Sequence, residues 1–270
     1  MMIERINEMY EKKDTNRLQT IFWTLLVVAL IVWSGSTIDE VGIANKGITF
    51  AVSIMQGILH PDPELLFNMT KQSVPYLLIE TMAIALLGTL VGAFFSFPLA
   101  FLASSKVVPM PVVIITRVLV MAIRTIPGFV YGLMFIRVTG PGPFAGVMTL
   151  SVTSIGMLTK LFSETIDDID KSILEALDAA GCNTFEKIRC GIIPQLWSSL
   201  ISTVIFRYDM NLRDATILGL VGAGGIGAPL KFAMSSNRWT QVGAILVGLV
   251  VLILFVEFFS SYLRKRLANG

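Results

Sequence analysis

Arg117 and Arg124 stand seven residues apart in a run, Val112 to Val138, that contains no acidic residue. On a helix that spacing is nearly two turns, so both guanidinium groups project from one face, with Arg124 deeper in the apolar run. A guanidinium presents forked donors that match the oxygens of a tetrahedral oxyanion, which makes the pair candidates for the lining of an anion pathway. In the structural alternative, Arg117 reaches the interface along its alkyl stem and Arg124 meets an acidic residue of another helix, Glu80 or Glu257. A second charged group is RYDMNLRD, residues 207–214. Helical angles put Arg207, Asn211 and Asp214 on one side and Asp209 with Arg213 on another, so each side carries both signs and local pairing can neutralise it. Arg207, Asn211 and Arg213 are further pathway candidates, set against a structural role as paired charges at helix interfaces.

Other motifs lead away from catalysis. GAGGIG, residues 222–227, matches the dinucleotide fingerprint letter for letter, but it follows a long apolar run rather than a strand and has no acidic residue about 20 positions on. Gly222, Gly224, Gly225 and Gly227 read instead as a backbone break with close helix packing, a candidate gate. Cys182 and Cys190 lack the spacing of a zinc or redox site, and His60, in HPDPE, reads as a solvated loop residue with no second metal ligand near it. No phosphate-cradling G-x-x-x-x-G-K-[ST] run occurs in the sequence. A membrane-embedded enzyme would need paired carboxylates, an activated nucleophile or a metal cluster inside the apolar runs, and none is present in the sequence.

The elements that hold these residues are set by hydropathy. Apolar residues make up 54% of the chain and charged ones 15%, and the apolar residues come in long runs rather than at amphipathic spacing, which specifies an all-α integral membrane protein. A spanning helix needs about 20 apolar residues, and six runs qualify: Thr20–Gly35, Pro75–Ala103, Val112–Val138, Phe144–Phe162, Leu196–Val221 and Thr240–Leu263. The first is read as an uncleaved span, because WSGSTIDE lacks a small-x-small cleavage pattern. Charges inside such runs cost about 2.5–3.5 kcal/mol at a helix centre unless they face protein or water, so the arginines should avoid lipid.

Lys and Arg set the orientation. With the tail that holds Arg5, Lys12, Lys13 and Arg17 inside, six spans also place Lys106, Lys160, Lys171, Lys187, Arg189, Arg264, Lys265 and Arg266 inside. The outer connections hold Lys46, Lys71, Arg137, Lys231 and Arg238. Both termini are therefore expected in the cytoplasm. The outer stretch NKGITFAVSIMQGILHPDPE is too short and polar to span, and suits a helix lying in the interface and stopped by Pro61 and Pro63.

The one long polar connection on the inside is EALDAAGCNTFEKIRCGIIP, Glu175 to Pro194. Ala and Leu favour helix, Gly181 suits a break, Asn183 or Thr184 can cap a second helix, and Pro194 can start the next span. The expected form is a helical hairpin whose small residues, Ala176, Ala179 and Ala180, permit close approach by a partner. The bland alternative is a solvated linker.

This segment resembles the cytoplasmic signature loop of ATP-binding-cassette importer permeases, which runs Glu-Ala-Ala, three residues, Gly, nine residues, Ile, one residue, Leu-Pro. Glu175, Ala176, Gly181 and Pro194 fall in register, and the departures are Leu177, Gly191 and Ile193. GPGPFAGVMTL (140–150) and RYDMNLRDATILGLVGAGGIG (207–227) look like the permeases of phosphonate importers, with the likeness running from about Glu80 to the end. The resemblance implies a MetI-like permease fold with a coupling loop at 164–195. It implies residues 1–74 as tail, first span and outer segment, and 75–270 as a five-helix core. It further implies a homodimer in the bacterial inner membrane, two cytoplasmic ATP-hydrolysing subunits, an external binding protein, and no cofactor on this chain, ATP and Mg being held by the ATPase. Closure of those subunits would push the coupling loops together and open the path outward. The substrate so implied is a phosphonate or a related phosphorus oxyanion such as phosphite or a phosphate ester. The alternatives are an importer of an amino acid such as methionine or another small anion, and a secondary transporter, which would show inverted repeats or broken midplane helices with ion ligands.

Overall fold

The computed structural model describes residues 17–36, 47–68, 70 and 72–269, and the regular structure among them is entirely helical. Arg5, Lys12, Lys13, Lys46 and Lys71 of the orientation argument lie outside the described residues. The chain divides into two compact units, residues 1–51 and 52–270. In the first, α1 (Arg17–Ser36) is apolar around its circumference and long enough to cross a membrane. α2 (Gly47–Leu59) ends just ahead of Pro61. Pro63, expected only to stop it, opens the short α3 (Pro63–Phe67), where the Asp62 carboxylate accepts from the Glu64 amide at 3.1 Å.

The second unit is built on α4 (Val74–Ala103) and α7 (Pro143–Asp167), 30 and 25 residues long. They touch because the facing residues are small. A Cβ on Gly88 would fall 2.5 Å from Leu150 Cβ, and one on Gly92 would fall 2.4 Å from Ser154 Cβ. Between membrane helices such close backbone approach replaces the hydrophobic drive that water supplies elsewhere. α10 (Ile193–Leu220) and α12 (Trp239–Asn269) complete the core around Ile84, Leu150, Leu212, Leu218 and Val256, and the short α11 (Gly227–Ser235) lies between them in sequence.

The third span departs from expectation. Val112–Val138 is not one helix but α5 (Met110–Thr125) and α6 (Gly128–Thr139), bent by 82° at Ile126–Pro127. Pro127 has no N–H to continue the ladder, and it forces Ile126 into extended backbone, φ −84° and ψ 121°. Counting the bent pair once, the described residues hold six helical segments long and apolar enough to cross a membrane.

The polar connection folds as α8 (Lys171–Ala179), a turn, and α9 (Thr184–Glu186). The second arm does not stop before the next span, as a separate hairpin helix would. It passes through a π-helical turn, Lys187–Ile192, straight into α10, with the Ile193 amide reaching back five residues to the Ile188 carbonyl. Pro194 sits in the first turn of α10, where that change of hydrogen-bond register leads into the α-helix.

Candidate transport chamber and coupling hairpin

The break at Pro127 opens a chamber of about 450 Å³ between α5, α6, α7 and α10, lined by Arg124, Gly128, Thr153, Met157, Arg207 and Asp214 among others. Thr153 and Arg207 lie near the middles of α7 and α10, so the chamber is at mid-span. Gly128 and Phe129, the first residues of α6, have no side-chain cap and line the same space, which puts the positive end of a half-helix at the chamber wall.

Arg207 is 5% exposed and uses all three nitrogens. Nε donates to Ser154 Oγ at 3.0 Å, one terminal nitrogen to Met157 Sδ at 3.0 Å, and the other to Thr153 Oγ1 at 3.1 Å. The nearest carboxylate oxygen recorded for it, on Asp214, is 3.9 Å away, and the Asp214 side chain is 46% exposed. Arg124 closes the last turn of α5, with its Cγ over Gly156, where a Cβ would sit 2.8 Å from it. It has no ion pair among the described residues. Glu80 accepts from the Gly225 amide at 3.0 Å, and Glu257 lies 3.5 Å from Arg213. Neither acid pairs with Arg124.

The remaining pathway candidates stand apart from the chamber. Arg117 is tied to α7 and to the end of α4: its Nε donates to the Ala103 carbonyl at 2.9 Å, and a terminal nitrogen meets Asp167 Oδ2 at 2.7 Å. The same carboxylate accepts from Ser104 and Ser105, so it joins three elements. Arg117 and Arg124 share a second cavity of about 320 Å³ with Lys160 and Asp167. Asn211 is fully buried and donates to Thr89 Oγ1 and Ser154 Oγ, both at 2.8 Å. It therefore shares the Ser154 hydroxyl with Arg207. Arg213 pairs with Asp209 at 3.2 Å and with Glu257. Sequence reasoning missed Thr153, Ser154 and Met157; the hydroxyls of the TLSVTS run, 149–154, mark the first two, and nothing in the sequence marks Met157.

The glycine segment folds back against the bundle. Gly222, Gly224 and Gly225 take φ of +105°, +82° and +71°, a region closed to most side chains. A Cβ on Gly224 would lie 2.6 Å from Pro143 Cα, and one on Gly227 would lie 2.3 Å from the Thr216 carbonyl oxygen. Glu80 and Thr81 of α4 hold the segment by accepting from the Gly225 and Ile226 amides at 3.0 Å each.

The hairpin is built from local signals. The Asp170 carboxylate caps α8 by accepting from the Ser172 amide, which, with the Ser172 hydroxyl, holds it below the ordinary carboxylate range, so the cap is ionised at neutral pH. At the other end, the Cys182 amide donates to the Leu177 carbonyl and the Gly181 amide to the Asp178 carbonyl, with Gly181 at φ +78°, a Schellman stop. Asn183 and Glu186 form a reciprocal capping box at 2.9 and 2.7 Å. Lys187 pairs with Asp178 across the turn. Glu175, Ala176, Ala179 and Ala180 are exposed, and Phe185 beside them is 70% exposed. Two of the three departures from the signature meet each other: a Cβ on Gly191 would fall 2.5 Å from Leu177 Cδ1. The larger residue at 177 and the smaller one at 191 exchange volume across one contact.

A multi-span helical bundle with a charged mid-span chamber and an exposed, small-faced hairpin between two spans is the architecture of a transport permease, a subunit that moves solute and makes no bonds. The chain belongs to the family of binding-protein-dependent transport system inner membrane components, whose model matches residues 96–269. It is 32% identical to the phosphite transport system permease protein PtxC of Stutzerimonas stutzeri, over 89% of this chain and 86% of that one. It is 35% identical to the phosphate-import permease protein PhnE of Mycolicibacterium smegmatis, over 72% of this chain and 36% of that one. Among solved structures, the MetNI methionine ABC transporter in an inward-facing conformation superposes with a TM-score of 0.63 at 18% identity, over 70% of this chain and 94% of that one, which establishes the MetI-like fold. The protein is thus the multi-pass membrane permease of an ATP-binding-cassette importer, a transport subunit and not an enzyme.

Proposed function

We propose that this chain forms the pathway for uptake of a phosphorus oxyanion of the phosphite, phosphate and phosphonate class. The observation that carries the reading is the placement of two guanidinium groups, Arg124 and Arg207, on one mid-span chamber. The similarity to a phosphite permease over most of the chain supports it. Forked donors on opposite helices suit a tetrahedral anion. In this reading two copies pair around a central route, with both termini in the cytoplasm. Two ATPase subunits, which alone bind ATP and Mg, grip the exposed faces of the hairpins around Glu175, Ala176, Ala179, Ala180 and Gly181. An external binding protein delivers the anion, and Gly222–Gly227 folds at the outer end of the route as a gate.

Uptake into proteoliposomes that hold the permease, its ATPase and its binding protein tests the substrate. Phosphite, phosphate or methylphosphonate should accumulate on addition of ATP and methionine should not; accumulation of methionine alone would reverse the assignment. For orientation, cysteines are introduced singly after Cys182 and Cys190 are replaced. A cysteine at Ser235 should react with an impermeant reagent from outside and one at Ser172 should not. Gly42, a third labelling position on the outer side, lies outside the described residues.

A further inference from the structure

We propose that Asp214 is a resident counter-ion that the transported oxyanion displaces from Arg207. The empty chamber then holds its own carboxylate opposite the guanidinium, and the loaded chamber holds the phosphorus oxyanion in its place. The inference rests on the oxyanion reading and adds the device that lets the anion leave.

Two of the arginine–aspartate pairs among the described residues differ in kind. Arg117 and Asp167 meet at 2.7 Å, and Asp167 is fixed further by Ser104 and Ser105. Arg207 and Asp214 stand 3.9 Å apart, beyond hydrogen-bond distance, and Asp214 accepts no hydrogen bond among the described residues. Every donor contact of Arg207 goes to a neutral acceptor, two hydroxyls and a thioether. The guanidinium is thus oriented by neutral groups, while its charge is compensated only by a carboxylate that stays half exposed toward the chamber. These neutral contacts keep the guanidinium in position when its counter-ion leaves, provided that another anion takes over its charge, since a buried charge left alone is costly.

Arg124 supplies the reason for exchange. It lines the same chamber without an ion pair of its own, so the chamber carries two positive side chains and one negative. A carboxylate fixed to α10 offers its charge to Arg207, whereas a free tetrahedral anion offers oxygens in several directions to both guanidinium groups. That surplus interaction drives the exchange. The return of Asp214 then competes with the anion for Arg207, which keeps binding weak enough for release, as conduction through any pore demands.

Equilibrium binding of labelled phosphate to the assembled permease–ATPase complex in nanodiscs, without binding protein, tests this. Wild type should bind weakly, Asp214→Asn about tenfold more tightly, and Arg207→Met not measurably, with complex assembly by size exclusion equal for wild type and Asp214→Asn. In the complete uptake system Asp214→Asn should turn over more slowly, because release is hindered. Unchanged or weaker binding by Asp214→Asn, absence of measurable binding in both proteins, or loss of its assembly would each overturn the proposal, the last by making the pair structural. Wild-type uptake of phosphite, phosphate and methylphosphonate in the same preparation separates the two levels. If wild type moves none of them, the oxyanion reading fails and this inference falls with it. If it moves one while Asp214→Asn binds as wild type does, only the counter-ion exchange is wrong.

Discussion

The chamber and the hairpin are both polar sites in an apolar chain, yet they are built by opposite means. Around the hairpin the decisive contacts join near neighbours: Asn183 to Glu186, Cys182 to Leu177, Lys187 to Asp178. Around the chamber they join distant parts of the chain: Arg207 to Ser154, 53 residues away, and Asn211 to Thr89, 122 residues away. A surface that must be presented to a partner can be specified locally. A charge that must survive inside a membrane needs acceptors from another helix, as Arg207 of α10 takes its three from α7.

If the chamber is the route, the largest effect belongs to Arg207→Met, which removes the guanidinium and leaves Thr153 and Met157 without its donors, while Ser154 still accepts from Asn211. Oxyanion uptake should be abolished while ATP hydrolysis by the assembled complex continues; uptake near wild type would remove Arg207 from the route. Gly181→Val attacks the other region with comparable force. A β-branched residue at φ +78° meets the αL penalty of about 1–2 kcal/mol, and the Schellman stop that sets the angle between the arms is lost. Uptake should fall sharply with permease still present in the membrane, and unchanged uptake would break the docking assignment. Glu175→Lys, which reverses a charge on the same exposed face, should act in the same direction.

Intermediate effects separate charge from geometry. Arg124→Lys keeps the charge and loses the fork, so uptake should fall moderately, whereas Arg124→Met should be severe. Equal loss in both would mean that the fork, and not the charge, is what the chamber uses. A smaller effect sharpens the account of the hairpin. Gly191→Ile alone should overpack against Leu177 and destabilise the connection by about 1–3 kcal/mol, and Leu177→Ala in the same chain should recover most of that. Thermal stability of the purified permease across the two single variants and the double variant measures the coupling, and additive losses would mean that the two departures from the signature are unrelated. The smallest change is Asn183→Ala, about 1 kcal/mol through loss of the capping box.

The same contrast explains what the sequence could be made to yield. Gly181, Asn183 and Glu186 stand in the order that a helix stop and a capping box require, so the hairpin can be read from a dozen letters. Helical angle alone puts Arg207 and Asp214 on one side of α10. It cannot show that Arg124 joins them, because that depends on where α5 ends, and the end is set by Pro127. The Pro-Gly pair at 127–128 was a visible breaker inside a run that hydropathy read as continuous. For Arg117, the partner Asp167 lies 50 residues on, at the end of another span, and no spacing rule connects them. The π-helical passage from Lys187 to Ile192 likewise has no sequence signature beyond the proline that follows it.

The division of labour between the two regions is tested most directly by measuring ATP hydrolysis and oxyanion uptake in the same proteoliposomes, with ATPase and binding protein present, for Arg124→Met and Gly181→Val. The chamber variant should hydrolyse ATP with normal stimulation by the loaded binding protein and move little oxyanion, whereas the hairpin variant should lose stimulation and uptake together. Full uptake by Arg124→Met, or normal stimulation in Gly181→Val, would contradict the account.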